Sequence, residues 1–218
     1  MAKDLAIILN SGSLNSAVVT ALAAQKYRPI LLHVEGFGRN AARLKLAYDH
    51  QVAHVKPYRE HTIAMPFLST FEPTNKTPAG VSDPRQQAPV APTVLRLLPF
   101  VAAAARYAVH HQATAIYCGL RVGGHSDGLA AASEFVQIWN EMINHPLAHP
   151  DLDLHAPLLE LEPWQVIDVG VNVAAPLERS WSCLEDADAA CGTCHGCRVR
   201  EGAFQQAGKA DPMVAVKR

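Results

Sequence analysis

Cys183, Cys191, Cys194 and Cys197 constrain this chain more than any other residues, reading C-x7-C-G-T-C-H-G-C within 15 residues. Three of them stand at C-x2-C-x2-C spacing, and four thiolates so grouped can converge on one tetrahedral ion. Zinc favours four sulfur ligands where its work is structural, with no position left open for chemistry. Two alternatives stand beside it. Paired disulfides belong to an oxidising compartment, to which nothing else in the chain points. An iron–sulfur cluster uses the same ligands, usually at other spacings. The spacing favours a closed zinc site, worth on the order of 10 kcal/mol of binding energy, that holds the C-terminal segment in place.

The rest of the chain has the material for a buried core. It has 218 residues, 49% of them hydrophobic and 18% charged, which suits one domain or one domain with a small appendage. A formal net charge of −1 argues against a broad nucleic-acid surface. Asp4 interrupts the N-terminal apolar run, so no signal pattern is expected there, and no apolar stretch is long enough to span a membrane. A cytoplasmic setting, with thiols kept reduced, is the expectation.

Leu5–Leu9 is an uninterrupted apolar run, the pattern of a strand buried on both faces. Asn10-Ser11-Gly12-Ser13 follows, and then an Ala-rich helix over Ser16–Ala24. Strand, small-residue turn and helix make a backbone cradle for an anion, because free N–H groups and the helix dipole both attract phosphate. An ordinary capped turn has the same appearance. Neither a Walker A loop nor a G-x-G-x-x-G occurs here. Pro29–Val34 reads as a second strand and Ala41–Gln51 as a helix with Leu44 and Tyr48 facing inward. His54–Lys56 and Thr62–Ala64 read as short strands. Five prolines within 69–92 suggest a lid or insertion at the sheet's rim. Thr93–His111 reads as a long core helix, and Ala113–Gly119 as a further buried strand. The pattern then predicts a helix over Ala130–Asn144 and another over Trp164–Ala174, with Pro163 at its first position. The stripe Phe135, Ile138, Trp139, Met142 and Ile143 reads as core. His145, His149 and His155 with Asp151 and Asp153 offer raw material for a second metal site, but prolines and uneven spacing favour a plain connection. Cys118 reads as a buried small hydrophobe rather than a nucleophile. Alternating strands and helices predict an α/β fold with a doubly wound, mostly parallel sheet and ligands at the C-terminal strand ends.

The run from Cys191 to Pro212 carries more information than its cysteines. With an upstream cysteine it shows C-G-x-C-x-x-C-x-x-R, an aromatic residue, then A-G-x-x-D-P, with Arg200, Phe204, Ala207, Gly208, Asp211 and Pro212 in register. It resembles the C-terminal signature of the 7-cyano-7-deazaguanine synthases, the QueC or ExsB family. His155-Ala-Pro-Leu158 is similar to that family's H-x-P-L segment. The turn after the first strand falls where the family carries its PP-loop, S-G-G-x-D-S; Ser11, Gly12 and Ser16 match, while Ser13 and Asn15 replace the second glycine and the aspartate. The resemblance implies a PP-loop ATP pyrophosphatase fold, of the adenine nucleotide alpha-hydrolase (HUP-like) kind, over residues 1–178, with a zinc-binding segment over 179–218. It implies ATP at Ser11, Gly12, Ser13, Asn15 and Ser16, with Mg²⁺, and adenine near Glu35, Gly36 and Phe37. It also implies activation of a small carboxylate, 7-carboxy-7-deazaguanine or a related acid, as an acyl adenylate for amidation and nitrile formation, in a homodimer.

Several family positions differ. The arginine of a P-G-R-N turn is out of register, leaving Arg96 as its possible replacement. The Y-P-D-C positions are Gly128-Leu129-Ala130-Ala131, which leaves Gly119, Arg121, His125 and Asp127 as substrate-loop candidates. Pro163 and Gln165 stand for a lysine and a glutamate. Arg39, Arg96, Arg121 and Lys56 would restore phosphate binding only if they converge. These departures keep a second expectation open: a catalytically silent relative that binds a nucleotide or a protein partner.

Overall fold

The computed structural model describes residues 3–35, 38–71, 90–124, 128–146, 148–149 and 151–215. Its centre is one parallel sheet of β1 (Leu5–Leu9), β2 (Arg28–Glu35), β3 (Arg59–Ala64), β4 (Ala115–Tyr117) and β5 (Asp153–His155). The order β3-β2-β1-β4-β5 puts β1 in the middle. The chain winds outward from β1 through β2 to β3, then crosses back to place β4 on β1's other side. The two halves therefore diverge at the C-terminal ends of β1 and β4, where such sheets leave a crevice for ligands.

Strand alternation builds two cores from the same apolar runs. Ile7, Leu9, Ile30, Leu32 and Ile116 face one side. They meet Val101, Ala104 and Ala108 of α3 (Val90–His111) and Trp139 and Ile143 of α4 (Leu129–Asn144). Ile8 and Leu31 face the other side, against α1 (Leu14–Lys26), Tyr48 of α2 (Ala41–Val55), and Val166 and Ile167 of α5 (Pro163–Asn172). The α4 stripe is only partly core, because Ile138 is 55% exposed whereas Trp139 is 8% exposed.

Two local readings change. His54–Lys56 is not a strand: it finishes α2, and Lys56 caps that helix in the left-handed region with φ 50°. Val55 alone among polar neighbours carries no alternation, and continuing the helix lets the Lys56 N–H bond Val52 O at 2.9 Å. The edge strand β3 starts at Arg59, three residues before the expected one, with exposed and half-buried residues alternating. α3 starts at Val90 and runs through Pro99. Most of the proline-rich stretch 69–92 lies outside the described residues.

After α5 the chain makes a short 3-10 turn at Leu177–Arg179, passes the cysteines, and forms α6 (His195–Gln206) and α7 (Pro212–Ala215). Ala203 and Phe204 of α6 join the second core. A buried ion pair fastens this segment. Arg200 Nε and Nη2 donate to the two carboxylate oxygens of Asp211 at 2.7 and 2.8 Å. Nη1 donates to Ser180 Oγ at 2.8 Å and Nη2 to Leu177 O at 3.0 Å, so the guanidinium ties α6, α7 and the 3-10 turn together. A buried charge left alone is costly, whereas one satisfied in this planar geometry fixes register. Arg200→Met should therefore destabilise the protein by about 3–5 kcal/mol, and adding Asp211→Leu should restore part of the loss. Equilibrium urea unfolding reads both, and a loss below about 1 kcal/mol would show that the pair is not an anchor.

Candidate active site and metal centre

The turn after β1 is held from behind by buried amides. Asn10, 1% exposed, accepts the Gly12 N–H at Oδ1 (2.8 Å). Its Nδ2 donates to Thr20 Oγ1 (3.0 Å) and to Gln51 Oε1 (2.9 Å). Gln51, fully buried in α2, donates in turn to Gly12 O (3.0 Å) and Arg179 O (3.2 Å). His33 lies behind the same strand end, stacked on Tyr48 and donating from Nδ1 to Asn10 O at 2.9 Å. Burial lowers its pKa, which favours the neutral ring that this bond uses. Gly12 has φ +82°, and a Cβ there would lie 2.1 Å from Leu44 O. Only glycine meets both demands.

On the ligand side the loop shows three hydroxyls in mutual contact. Ser11 Oγ lies 3.0 Å from Ser13 Oγ and 3.1 Å from Ser16 Oγ, and Ser13 Oγ lies 3.1 Å from Ser16 Oγ. Ser13 is also the N-cap of α1, accepting the Ser16 N–H. The neighbouring Asn15 turns its amide to Gly119 O at 3.2 Å, joining the loop to the end of β4. The serine hydroxyls therefore stand at a helix N-terminus, in the crevice where the sheet's halves part.

Two clefts open from these groups. One, of about 270 Å³, is lined by Ser11, Ser13, Asn15 and Ser16 with Gly119 and Arg96, and has apolar walls from Val34, Leu97, Phe100 and Leu120. The other, of about 390 Å³, takes Ser11, Ser13 and Asn15 with Arg121 and Asn40, and its opposite wall is α6, including His195. Of the four expected cations, Arg96 and Arg121 line clefts containing loop residues. Arg39 does not; it pairs with Glu185 at 3.9 Å, and Lys56 caps the far end of α2. His125 and Asp127 lie outside the described residues, as do Gly36 and Phe37. Glu35 lines a third recess, of about 310 Å³, that shares Ser11 but not Asn15.

These residues fit an anion better than a protein-held Mg²⁺. Mg²⁺ in phosphate sites takes one or two carboxylates. Among the described residues, neither cleft that Asn15 lines contains an Asp or a Glu. Glu35 is the one carboxylate in the adjoining recess.

The four cysteines converge. Their sulfurs lie within 4.8 Å of one another, with Cys183–Cys191 at 3.6 Å, Cys183–Cys194 at 3.9 Å and Cys191–Cys197 at 4.0 Å. Four sulfurs about 2.3 Å from a tetrahedral ion stand about 3.8 Å apart, so the group can hold a metal ion. Backbone N–H groups of Glu185 and Cys191 point at Cys183 Sγ, that of Cys194 at Cys191 Sγ, and those of Leu184 and Cys197 at Cys194 Sγ. Backbone and hydroxyl donors of Thr193, with the Cys194 N–H, draw the Cys191 pKa down to about 6. Burial pushes Cys183 and Cys197 the other way, a penalty that a bound cation offsets. The segment is strapped to the loop's surroundings: Asn40 Nδ2 donates to Cys183 O at 2.7 Å, Arg43 pairs with Asp188, and the Trp181 N–H bonds Gly12 O at 3.0 Å. A larger cavity of about 650 Å³ behind this segment contains none of the loop residues.

Among the described residues no second group of three metal-ligating side chains occurs. Cys118 is 1% exposed and burial raises its thiol to about 11, the state of an inert core residue. Asn10, Thr20, His33 and Gln51 were not singled out by the sequence pattern. A polar residue closing an apolar strand was a signal for Asn10; Gln51 left none.

The family model described as "Queuosine biosynthesis protein QueC" matches residues 5–208. The 7-cyano-7-deazaguanine synthase of Koribacter versatilis is 27% identical over 217 residues, covering 95% of this chain and 92% of that protein. The enzyme of the same name from Nitratiruptor sp. is 28% identical over 213 residues, covering 94% and 96%. Among solved structures, the NMN synthetase of Francisella tularensis overlays with a TM-score of 0.47 at 17% identity, over 96% of this chain and 79% of its own.

Two outcomes follow from the geometry. Gly12→Ala should cost on the order of 3 kcal/mol or more in urea unfolding, through a strained φ and contact with the α2 backbone; a neutral substitution would contradict the close approach. Stripping the metal with a strong chelator should lower the melting temperature by more than about 10 °C and expose the amides of 183–207 to hydrogen exchange. Unchanged protection there would show that the cysteines fold without an ion.

Proposed function

The chain belongs to the QueC family, and on that premise we propose that it is an ATP-using synthase that activates a small carboxylic acid. We take the acid to be 7-carboxy-7-deazaguanine or a close relative. The observation that carries this reading is the open hydroxyl cluster of Ser11, Ser13 and Ser16 at the start of α1, flanked on its two sides by clefts containing Arg96 and Arg121. An apolar plug over the same turn would have favoured a silent relative; among the described residues, clefts lie beside the turn instead.

The proposed sequence asks for positioning more than for covalent help from the protein. A carboxylate oxygen attacks the α-phosphorus of ATP, the bond to the bridging oxygen breaks, and pyrophosphate leaves. Ammonia attacks the acyl carbon and AMP departs, leaving the amide. The amide oxygen then attacks the α-phosphorus of a second ATP, a second pyrophosphate leaves, and loss of AMP with the amide oxygen and of the two N–H protons gives the nitrile. The loop hydroxyls and the first N–H groups of α1 are placed to hold the departing pyrophosphate. The apolar wall of the first cleft suits a flat base. No step is assigned to protein-held Mg²⁺.

We read the ion of the four cysteines as zinc with a structural role, since four thiolates leave it no open position. On the same reading, residues 1–178 form the nucleotide unit and 179–218 the metal-binding segment, and the protein works as a cytoplasmic homodimer.

The test is AMP and pyrophosphate release by zinc-loaded protein with Mg·ATP, ammonia and 7-carboxy-7-deazaguanine, beside an authentic synthase. Acid-dependent release is expected. Failure with zinc intact and the control active would remove the synthase role.

A further inference from the structure

We propose that Arg121 supplies the positive charge against the pyrophosphate portion of the bound nucleotide, in place of a metal ion held by the protein. The inference rests on the nucleotide reading above and goes beyond it, because it makes anion binding at this loop independent of Mg²⁺.

Three observations carry it. Arg121 lines the same 390 Å³ cleft as Ser11, Ser13 and Asn15, so a phosphate seated on the hydroxyl cluster would share that cleft with a guanidinium. Among the described residues its one hydrogen bond is long, from Nη1 to Leu161 O at 3.4 Å, which leaves most of its donors uncommitted. A half-buried cation with so few acceptors gains more from an incoming anion than a solvated one does. Its pKa is lowered by burial, with Glu162 acting in the opposite direction, yet a guanidinium remains charged at any working pH.

Asn15, which lines the same cleft, supports the same conclusion. Its side chain occupies the position of the loop's aspartate, but the amide is spent on Gly119 O at 3.2 Å. A carboxylate in that place would set oxygen against oxygen. The residue that might have gathered Mg²⁺ now positions the loop, while the charge that Mg²⁺ would bring is present in the cleft as an arginine. His195 and Arg200 line the same cleft; Arg200 is committed to Asp211, and His195 stands on the wall opposite Arg121. Glu35, in the neighbouring recess, is the carboxylate that a metal-dependent site would need.

The experiment is calorimetric titration of the full, zinc-loaded chain with inorganic pyrophosphate and with ATP, in buffers with and without Mg²⁺. Wild-type affinity for pyrophosphate is expected to agree within about threefold between the two buffers. Arg121→Ala should weaken it at least about tenfold in both, as expected for loss of charge-assisted hydrogen bonds, and Arg121→Lys should fall between. For pyrophosphate, which carries no adenine, Glu35→Gln should keep the wild-type affinity in both buffers. Because Arg121 makes one long hydrogen bond among the described residues, the melting temperature of Arg121→Ala should stay within about 3 °C of wild type, which separates lost binding from lost folding. The inference is overturned if binding requires Mg²⁺, if Arg121→Ala binds pyrophosphate as wild type does, if Arg121→Ala unfolds, or if Glu35→Gln is the variant that fails. Should wild type bind neither ligand in either buffer, the nucleotide reading falls and takes this inference with it. Normal Mg²⁺-dependent ATP binding would leave that reading standing and remove only the role of Arg121.

Discussion

The site depends on the carbonyl and N–H of one glycine. Gly12 cannot leave its left-handed turn, because its backbone is gripped at both ends: Asn10 takes the N–H, while Gln51 and the Trp181 N–H share the oxygen. Each partner comes from a different part of the chain, one from the strand end, one from α2 and one from the connection to the cysteines. Buried amides of this kind are expensive when unpaired, so the network allows one arrangement. The hydroxyl cluster inherits that rigidity, and its contacts of 3.0 to 3.1 Å are a consequence of where Gly12 is held.

The cysteine segment is part of the site for the same reason. It does more than finish the chain, since Trp181 reaches Gly12 and Asn40 reaches Cys183. α6 forms the far wall of the cleft that contains Arg121. Gly196 sits where a Cβ would be 2.0 Å from Ser182 O, so the metal-binding turn is folded tightly onto the connection leading into it. A metal ion with no open coordination position can therefore govern a ligand cleft without touching the ligand, by fixing the wall on which the cleft depends.

Much of the fold was legible because it rests on short-range rules. Leu5–Leu9 is an apolar run and became the central strand; Pro163 fits a first helical position and took it. The four cysteines were legible because metal ligands at close spacing leave little geometric freedom. What could not be read was contact at long range. Gln51 looks like any polar helix residue until the sheet order brings α2 against the loop. Lys56 ended a helix where a strand was expected, because a single valine carries no period. Arg121 could be placed in a loop but not in a cleft, since its partner wall is more than 70 residues away in α6.

The residues that depart from the family pattern test whether this site decayed or was rebuilt. Decay leaves substituted side chains without work. Ser13, in place of a glycine, caps α1 and completes the hydroxyl cluster. Asn15, in place of an aspartate, donates to Gly119 O, a bond that an aspartate cannot make. Pro163 and Gln165, in place of a lysine and a glutamate, begin α5, where Gln165 closes a reciprocal cap with Glu162. Ser13 and Asn15 have acquired local partners that a glycine would lack and an aspartate would oppose, and clefts lie beside them. Mutually consistent local contacts of this kind support the proposed working site over a silent one.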